Sequence, residues 1–413
     1  MEPTSTKSQA NRRAGAKVGN THVPWRVRGL GVWALSGVFV SSWILAMASA
    51  AGISPWGDSP QLNASVIFWT SPHPGWLYVL DPEIIRYRPN NVSQVLLVDP
   101  TSGEIKGVIR AGLQPDFALS PDGSHLYILS GGYLSAVDTQ SGSVLGNWPV
   151  HDPAQIITGL PSPGSLVAGT GNRYVFVLKV HNRQMAGGGA TCAIGTFDVQ
   201  QGAFLPDEAR LPTCDGLWEI KALPAERKIL AFISYSKDAQ IVQIGPGGAA
   251  LSTSTLALGN PPASGVLLPD GHTLAFLNTQ RQIALADTEL GRVTYPELGA
   301  VTIPPDTMMR PQSLTVSASG GMLYVGYGPA SGVGFWSDLA HGVAAFNLGT
   351  GQQQASAATS DPFLHLTLSL HGKYLYAISP VWRSIVVLDA SSLKELRTIS
   401  NLGVTPASAL VAP

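Results

Sequence analysis

The chain has 413 residues, of which 45% are hydrophobic and only 12% charged, with 45 Gly, 31 Pro and a formal net charge of −1. That is enough apolar matter for a large core, and it excludes a disordered chain, a coiled coil and a long acidic or basic tail. The near-neutral balance gives no footing for a nucleic-acid partner.

In chain order, the first element is N-terminal. Lys7, Arg12, Arg13, Lys17, Arg26 and Arg28 precede residue 29 against Glu2 alone, and no charge follows from Gly29 to Gly57. The run GLGVWALSGVFVSSWILAMA (Gly29 to Ala48) is long and apolar enough to cross a bilayer as a helix. A basic flank on one side only places the N-terminus inside and the rest outside. The reading is a basic cytoplasmic segment over 1–28, a membrane helix over 29–50 and a linker over 51–70. Ala48-Ser49-Ala50 also fits a signal-peptidase site, and cleavage there would give a secreted protein. The lengths of the basic and apolar parts favour an uncleaved signal-anchor. In both cases the main domain is exported, with 19 basic and 25 acidic residues and a net charge of −6.

From residue 71 one phrase recurs, a small-residue turn followed by a short strand of branched and aromatic residues. It reads SPHPGWLYVL from Ser71, LSPDGSHLYIL from Leu119, LLPDGHTLAFL from Leu267, SASGGMLYVGY from Ser317 and LSLHGKYLYAI from Leu368. LPSPGSLVAG from Leu160 and LPAERKILAFI from Leu223 are weaker copies. Pro fixes φ and Gly accepts positive φ, so the phrase begins in a bend. The apolar run after it suits a packed strand. A second phrase follows each time, a strand, a turn marked by Asp, Asn or Gly, and another strand. Its markers are Asp99, Asp138, Asp198, Gly245, Asp287, Asn347 and Asp389. Seven units of roughly 40–60 residues with four strands each are the spacing of propeller blades. The fold class is therefore all-β, a seven-bladed β-propeller of four-stranded antiparallel blades over 71–413, preceded by one N-terminal transmembrane or signal helix.

These repeats, "SPDG…LYV" followed by "V.D..TG.V", resemble the YVTN-type β-propeller repeat. That repeat occurs in exported bacterial propellers related to the amine-dehydrogenase β-chain and lactonase-like folds. The resemblance covers about 71–413 and implies a fold more than a function, because the superfamily mixes enzymes, cofactor proteins and binding scaffolds. A WD40 reading fits less well, since no Trp-Asp ends a strand.

Ring closure is also legible. The final LGVTPASALVAP (Leu402 to Pro413) parallels LGNPPASGVLLP (Leu258 to Pro269), so it reads as an innermost strand completing the blade that begins at Trp76. The competing reading gives that place to SVIFWT (Ser65 to Thr70).

The chemistry census is mostly negative. No haem, zinc-protease, phosphate-loop or calcium-loop signature occurs, so no cofactor, metal ligand or catalytic residue is expected. The Gly-rich GTGNR (Gly169 to Arg173) does not lead from a strand into a helix and is no phosphate site. Single histidines after the turns (His125, His272, His371) read as turn or blade-edge residues. Cys192 and Cys214 are the only cysteines. With IGTFDV (Ile194 to Val199) read as the third strand of its blade and AFLPDEARL (Ala203 to Leu211) as the fourth, antiparallel pairing about the turn at 200–202 brings them within reach of a disulfide, the alternative being two unrelated buried thiols. Extra sequence falls between second and third strands at 179–192 and 327–342, and in long links at 205–216 and 298–312. Loops on a rigid scaffold concentrate binding residues. The candidates for a ligand or partner are thus Trp336, Asp338 and His341 on one loop, with Arg310 and Met308 on another. The functional expectation is a non-catalytic, membrane-anchored, extracytoplasmic propeller that binds a protein, glycan or small molecule. The alternatives are a propeller enzyme (a lactonase-like hydrolase or a quinone-type dehydrogenase subunit) and an accessory subunit of a membrane complex.

Overall fold

Runs such as Leu77–Leu80 and Leu126–Leu129 carry no polar alternation because both faces of a blade's second strand are covered by neighbouring blades. Leu77, Tyr78, Val79, Leu126, Tyr127 and Ile128 are all completely buried. The computed structural model describes residues 64–413 apart from 83–92, 113–114, 131–132, 151–164, 182–190, 213–217, 224–226, 234–235, 261, 279–281, 297–302 and 331–338. They belong to the compact unit Gln61–Pro413. The expected helix over 29–50 and its flanks lie outside the described residues. Among the described residues no helix is long and apolar enough to cross a membrane.

Seven antiparallel sheets form the ring. The first holds β1 (Ser65–Trp69), β2 (Leu77–Asp81), β3 (Gln94–Val98) and β4 (Ile105–Arg110). Blade 2 is β5 (Asp116–Leu119), β6 (His125–Ser130), β7 (Tyr133–Asp138) and β8 (Val144–Pro149). Blade 3 is β9 (Leu166–Ala168), β10 (Tyr174–His181), β11 (Thr191–Asp198) and β12 (Ala203–Leu211). Blade 4 is β13 (Trp218–Leu223), β14 (Lys228–Ile233), β15 (Asp238–Ile244) and β16 (Ala250–Ala257). Blade 5 is β17 (Pro262–Leu267), β18 (Thr273–Asn278), β19 (Ile283–Asp287) and β20 (Arg292–Thr294). Blade 6 is β21 (Thr307–Val316), β22 (Met322–Pro329), β23 (Ala340–Asn347) and β24 (Gln353–Phe363). Blade 7 is β25 (His365–Leu368), β26 (Tyr374–Ser379), β27 (Ser384–Asp389) and β28 (Glu395–Ile399), and the chain ends in β29 (Ser408–Val411). One buried apolar cluster fills each of the seven junctions, from Trp76, Tyr78 and Phe117 between blades 1 and 2 to Leu77, Tyr376 and Ile399 between blades 7 and 1.

The chain closes as the matched LG–PPAS and LG–TPAS runs imply. In blade 1 the order is β1-β4-β3-β2-β29, so the C-terminal strand is innermost and pairs Leu77 with Val411 through Leu80 with Ser408. The Asp81 carboxylate fixes the turn before it, accepting the Val404 and Thr405 N–H groups at 2.7 and 2.6 Å. Gly123 in blade 2 leaves room for the terminal ring: a Cβ there would lie 2.1 Å from Pro413.

The structure corrects the sequence-based expectation in two places. Ser65–Trp69 is neither linker nor inner strand but a fifth, outermost strand, paired with β4, so blade 1 has five strands and not four. Its Trp69 reaches blade 2, where Nε1 donates to the Thr139 carbonyl at 2.8 Å. LVA of LPSPGSLVAG is the inner strand of blade 3 rather than its second, and GTGNR is the turn that leads to β10, with Gly169 N–H bonded to the Tyr174 carbonyl. The fourth strand of blade 3 falls where the sequence places it, at Ala203–Leu211, so only the remainder of 205–216 is link. Short polar loops and an early repeat register hid these features, because an apolar run alone cannot say which strand of a blade it forms.

Candidate functional site

The meander gives the propeller two chemically distinct ends. At one end lie the turns joining first to second and third to fourth strands; at the other, the second-to-third loops and the links between blades. The inner strands all start at this link end, and they run beside one another around the central channel.

A polar residue stands at or near the start of each inner strand, except in the longer β21, where it is Ser313 beyond the middle of the strand. These are Asp116, Ser165, Glu219, Ser264, Ser313, His365 and Ser408 in blades 2 to 7 and then 1. The first six each lie ten residues before the apolar run of the second strand, at Leu126, Val175, Ile229, Leu274, Leu323 and Leu375. Four of these six pair with the same position of that strand, Asp116 with Leu129, Glu219 with Phe232, Ser264 with Leu277 and His365 with Ile378, and Ser408 likewise pairs with Leu80. They form a collar at the link end of the channel.

The collar ties blade to blade. The buried Asp116 carboxylate accepts the Ser165 N–H at 2.8 Å and the Ser165 hydroxyl at 2.6 Å, while its other oxygen accepts the Phe117 N–H. Glu219 pairs with Lys221 two residues on and accepts a long bond from the Ser264 hydroxyl at 3.5 Å. Ser313 Oγ donates to the Leu364 carbonyl at 2.7 Å. The His365 ring bonds the backbone of Ala409 on the closing strand. Burial, and then the Lys221 charge, push the His365 pKa down to about 4, with the Ala409 bond opposing. At neutral pH it is an uncharged imidazole beside an ammonium–carboxylate pair. The buried Ser408 hydroxyl has no partner among the described residues.

Three of the five candidates read from the sequence meet on blade 6, but on strands rather than loops. Met308 and Arg310 lie in β21 and His341 in β23, because both strands extend further toward the link end than the hydrophobic pattern implies. Arg310 Nη1 points at Met308 Sδ (3.5 Å) and Nη2 bonds the Pro329 carbonyl. Gly328 makes this packing fit, since a Cβ there would stand 3.0 Å from Arg310 Nε and 2.4 Å from the Leu339 carbonyl. Arg310 is 5% exposed, whereas His341 is exposed. Burial and the Arg310 charge lower the His341 pKa. Trp336 and Asp338 lie outside the described residues. So does Cys214; Cys192 is fully buried in β11 opposite Leu211, three residues before it. Among the described residues no cluster of His, Cys, Asp or Glu is arranged to hold a metal.

The turn-centred sequence pattern does not point to the collar, although its signal is present. Aligning the repeats on the apolar run and looking upstream brings a Ser, Asp, Glu or His into the same column. The turns that make the repeats visible lie downstream of that column.

No protein-family model matches the chain, and no curated protein matches it in sequence. Among solved structures it is similar to a functionally unknown protein from Desulfotomaculum acetoxidans (TM-score 0.59, 16% identity, 82% of this chain and 99% of that one). It is also similar to the periplasmic gluconolactonase PpgL of Pseudomonas aeruginosa (0.57, 13%, 82% and 99%) and to a protein from Lactobacillus plantarum (0.55, 15%, 82% and 99%). The chain is a seven-bladed β-propeller. Lactonase-like propellers are among its structural neighbours, which agrees with the YVTN-type resemblance of its repeats.

Proposed function

We propose that this propeller is a non-catalytic binding or scaffold module. It is held outside the cytoplasmic membrane by its N-terminal segment and engages a protein, glycan or small molecule at the link end of the channel. One observation supports this most: polar groups at the channel mouth are engaged across blade boundaries, Asp116 with Ser165, Glu219 with Ser264 and Ser313 with the Leu364 carbonyl. Catalytic groups must meet a substrate, whereas a collar of this kind serves a rigid platform. The charge-free run behind a basic flank supports the membrane attachment. Capture from detergent-solubilised membranes with the intact chain, followed by repeat capture with a Met308→Ala/His341→Ala double variant, tests the reading. Loss of capture in the variant supports it; equal capture by both sinks the assigned face.

A second reading rests on His365, Glu219 and Lys221, an imidazole, a carboxylate and an ammonium close together in the channel wall. With a gluconolactonase among the similar structures, it makes the protein a lactonase-like hydrolase. Hydrolysis of an aldonolactone that disappears in His365→Gln and Glu219→Gln would decide for it.

A further inference from the structure

We propose that the link end of the propeller is turned toward the membrane, with Trp382 and Val404 seated in the lipid interface. This rests on the membrane-held reading above and adds an orientation to it.

Trp382 is 59% exposed, the most exposed aromatic ring among the described residues, and Val404 is 40% exposed. They belong to one patch. Trp382 and Arg383 form the tip of the hairpin between β26 and β27, and Val404 lies in the link between β28 and β29. The Leu402 N–H bonds the Arg383 carbonyl at 2.9 Å, which holds hairpin and link together. The Trp382 N–H bonds Ser379 Oγ at 3.3 Å, and Val381 beside it packs on buried Leu339, Leu364 and Ala407. The tip is thus a braced projection that presents an indole and, next to it, an exposed guanidinium. An indole flanked by a cation suits the headgroup level of a bilayer, where an amphipathic ring meets anionic lipid.

The chain itself says what lies opposite this patch. The described propeller begins at the link end: Ser65 pairs with Arg110, the last residue of β4. Blade 1, where it begins, adjoins blade 7, which carries the tip. With the membrane helix expected to end at residue 50, residues 51–63 would be the tether, at most about 45 Å if fully extended, since Ala64 is already buried in the propeller. A tether joined at the link end of blade 1 brings that end to the bilayer first. The opposite end of blade 7 also offers an apolar residue, Leu370, at 37% exposure in the turn between β25 and β26. It serves as the internal control.

The test uses the full chain reconstituted into phosphatidylethanolamine–phosphatidylglycerol vesicles. Trp382→Cys and Leu370→Cys are each labelled with an environment-sensitive nitrobenzoxadiazole dye, without reductant. The expected result is blue-shifted emission at 382 that is lost with nitroxide-bearing lipid, and water-like emission at 370 that is lost with aqueous iodide. If the chain floats with vesicles but 382 is quenched by iodide and not by the lipid nitroxide, the orientation is wrong and the membrane attachment stands. A dye at 382 shielded from both quenchers marks a protein contact and overturns the lipid assignment. A chain that does not float with vesicles removes the membrane reading and this one with it.

Discussion

The two ends of the propeller are held together by different kinds of interaction. At the turn end each third-to-fourth-strand turn is closed by local bonds, and a few side chains such as Trp69, Asn172 and Arg397 add bonds between blades. Asp138 accepts the Ser141 N–H and hydroxyl at 2.7 Å each, Asp389 accepts the N–H groups of Ser391 and Ser392, and Asn347 accepts that of Thr350. At the link end the bonded residues are far apart in the chain, 49 positions for Asp116 and Ser165 and 51 for Ser313 and Leu364. A turn can form in an open ring, but a collar exists only once the blades are stacked. The collar bonds therefore need the stacked ring, whereas the turn bonds give each repeat its regularity.

The largest expected effect comes from cutting the link end where the ring closes. Deleting Val404–Pro413 removes β29 and the two N–H groups that Asp81 accepts, and exposes the inner edge of β2. An open, long apolar edge aggregates. The truncated chain should lose its cooperative melting transition and elute as aggregate in size-exclusion chromatography; an unchanged Tm would refute the closure.

Next in size is the pairing of Cys192 with Cys214, also expected at the link end. No free cysteine occurs among the described residues. A bridge closing a loop of this length is worth about 3 kcal/mol in the chain-entropy model. Thiol titration of the denatured, unreduced protein should find none, and Cys192→Ala should lower the urea midpoint. Two titratable thiols would rule the bridge out.

The same contrast decides which features the amino-acid sequence makes legible. Turn chemistry is local, so Asp99, Asp138, Asp198, Gly245, Asp287, Asn347 and Asp389 all mark third-to-fourth-strand turns as their neighbours Gly, Ser and Thr imply. The closing strand is legible because an internal copy, LGNPPASGVLLP, supplies a template. Trp69 gives no such sign: its partners Thr139 and Gly142 lie 70 or more residues away, and only the stacked ring brings them together. Arg310 and His341 are legible as a pair of neighbours but read as loop residues, because glycines such as Gly326, Gly328 and Gly342 carry the strands on without apolar side chains.

The collar itself is the next test. Asp116→Ala leaves the Ser165 and Phe117 N–H groups without their acceptor in a buried site, a loss of about 2 kcal/mol. Asp116→Asn, which keeps an acceptor, should lose less. Urea unfolding of both variants measures the difference, and equal loss would show that the interblade bond contributes nothing. A smaller effect is expected where a long-range contact lands on the turn end. Gly142 has φ +70° and a Cβ there would lie 2.4 Å from the Trp69 ring, whereas Gly291, at φ +65°, has nothing within 4 Å. Alanine at either position meets the left-handed penalty of about 1 kcal/mol. Gly142→Ala should cost roughly 1–2 kcal/mol more than Gly291→Ala, because it overpacks against Trp69. Equal melting temperatures would show that Trp69 is free to move aside.

The smallest signal is a slope rather than a midpoint, and it separates the two ends by pH. At the link end His365 is held neutral, its folded pKa pushed down to about 4 by burial and by Lys221. A depressed folded pKa favours the deprotonated form, so this stability is complete above the unfolded histidine value near 6.5 and is lost as pH falls toward 4. At the turn end, hydrogen bonds from the Ser391 hydroxyl and the Ser392 N–H hold the Asp389 carboxyl down to about 2, and those from Ser141 lower Asp138. Their stability is complete above the ordinary aspartate range and is lost only below it, toward pH 2. Acidification should therefore loosen the link end first and the turns second. His365→Gln, whose amide can still donate to the Ala409 carbonyl, should flatten the dependence of the urea midpoint on pH between about 6.5 and 4 and leave the lower window as it was. Asp389→Asn should do the reverse. If His365→Gln leaves the upper slope intact, the histidine is charged or exposed in the folded protein, and the collar does not close the way its bond to Ala409 requires.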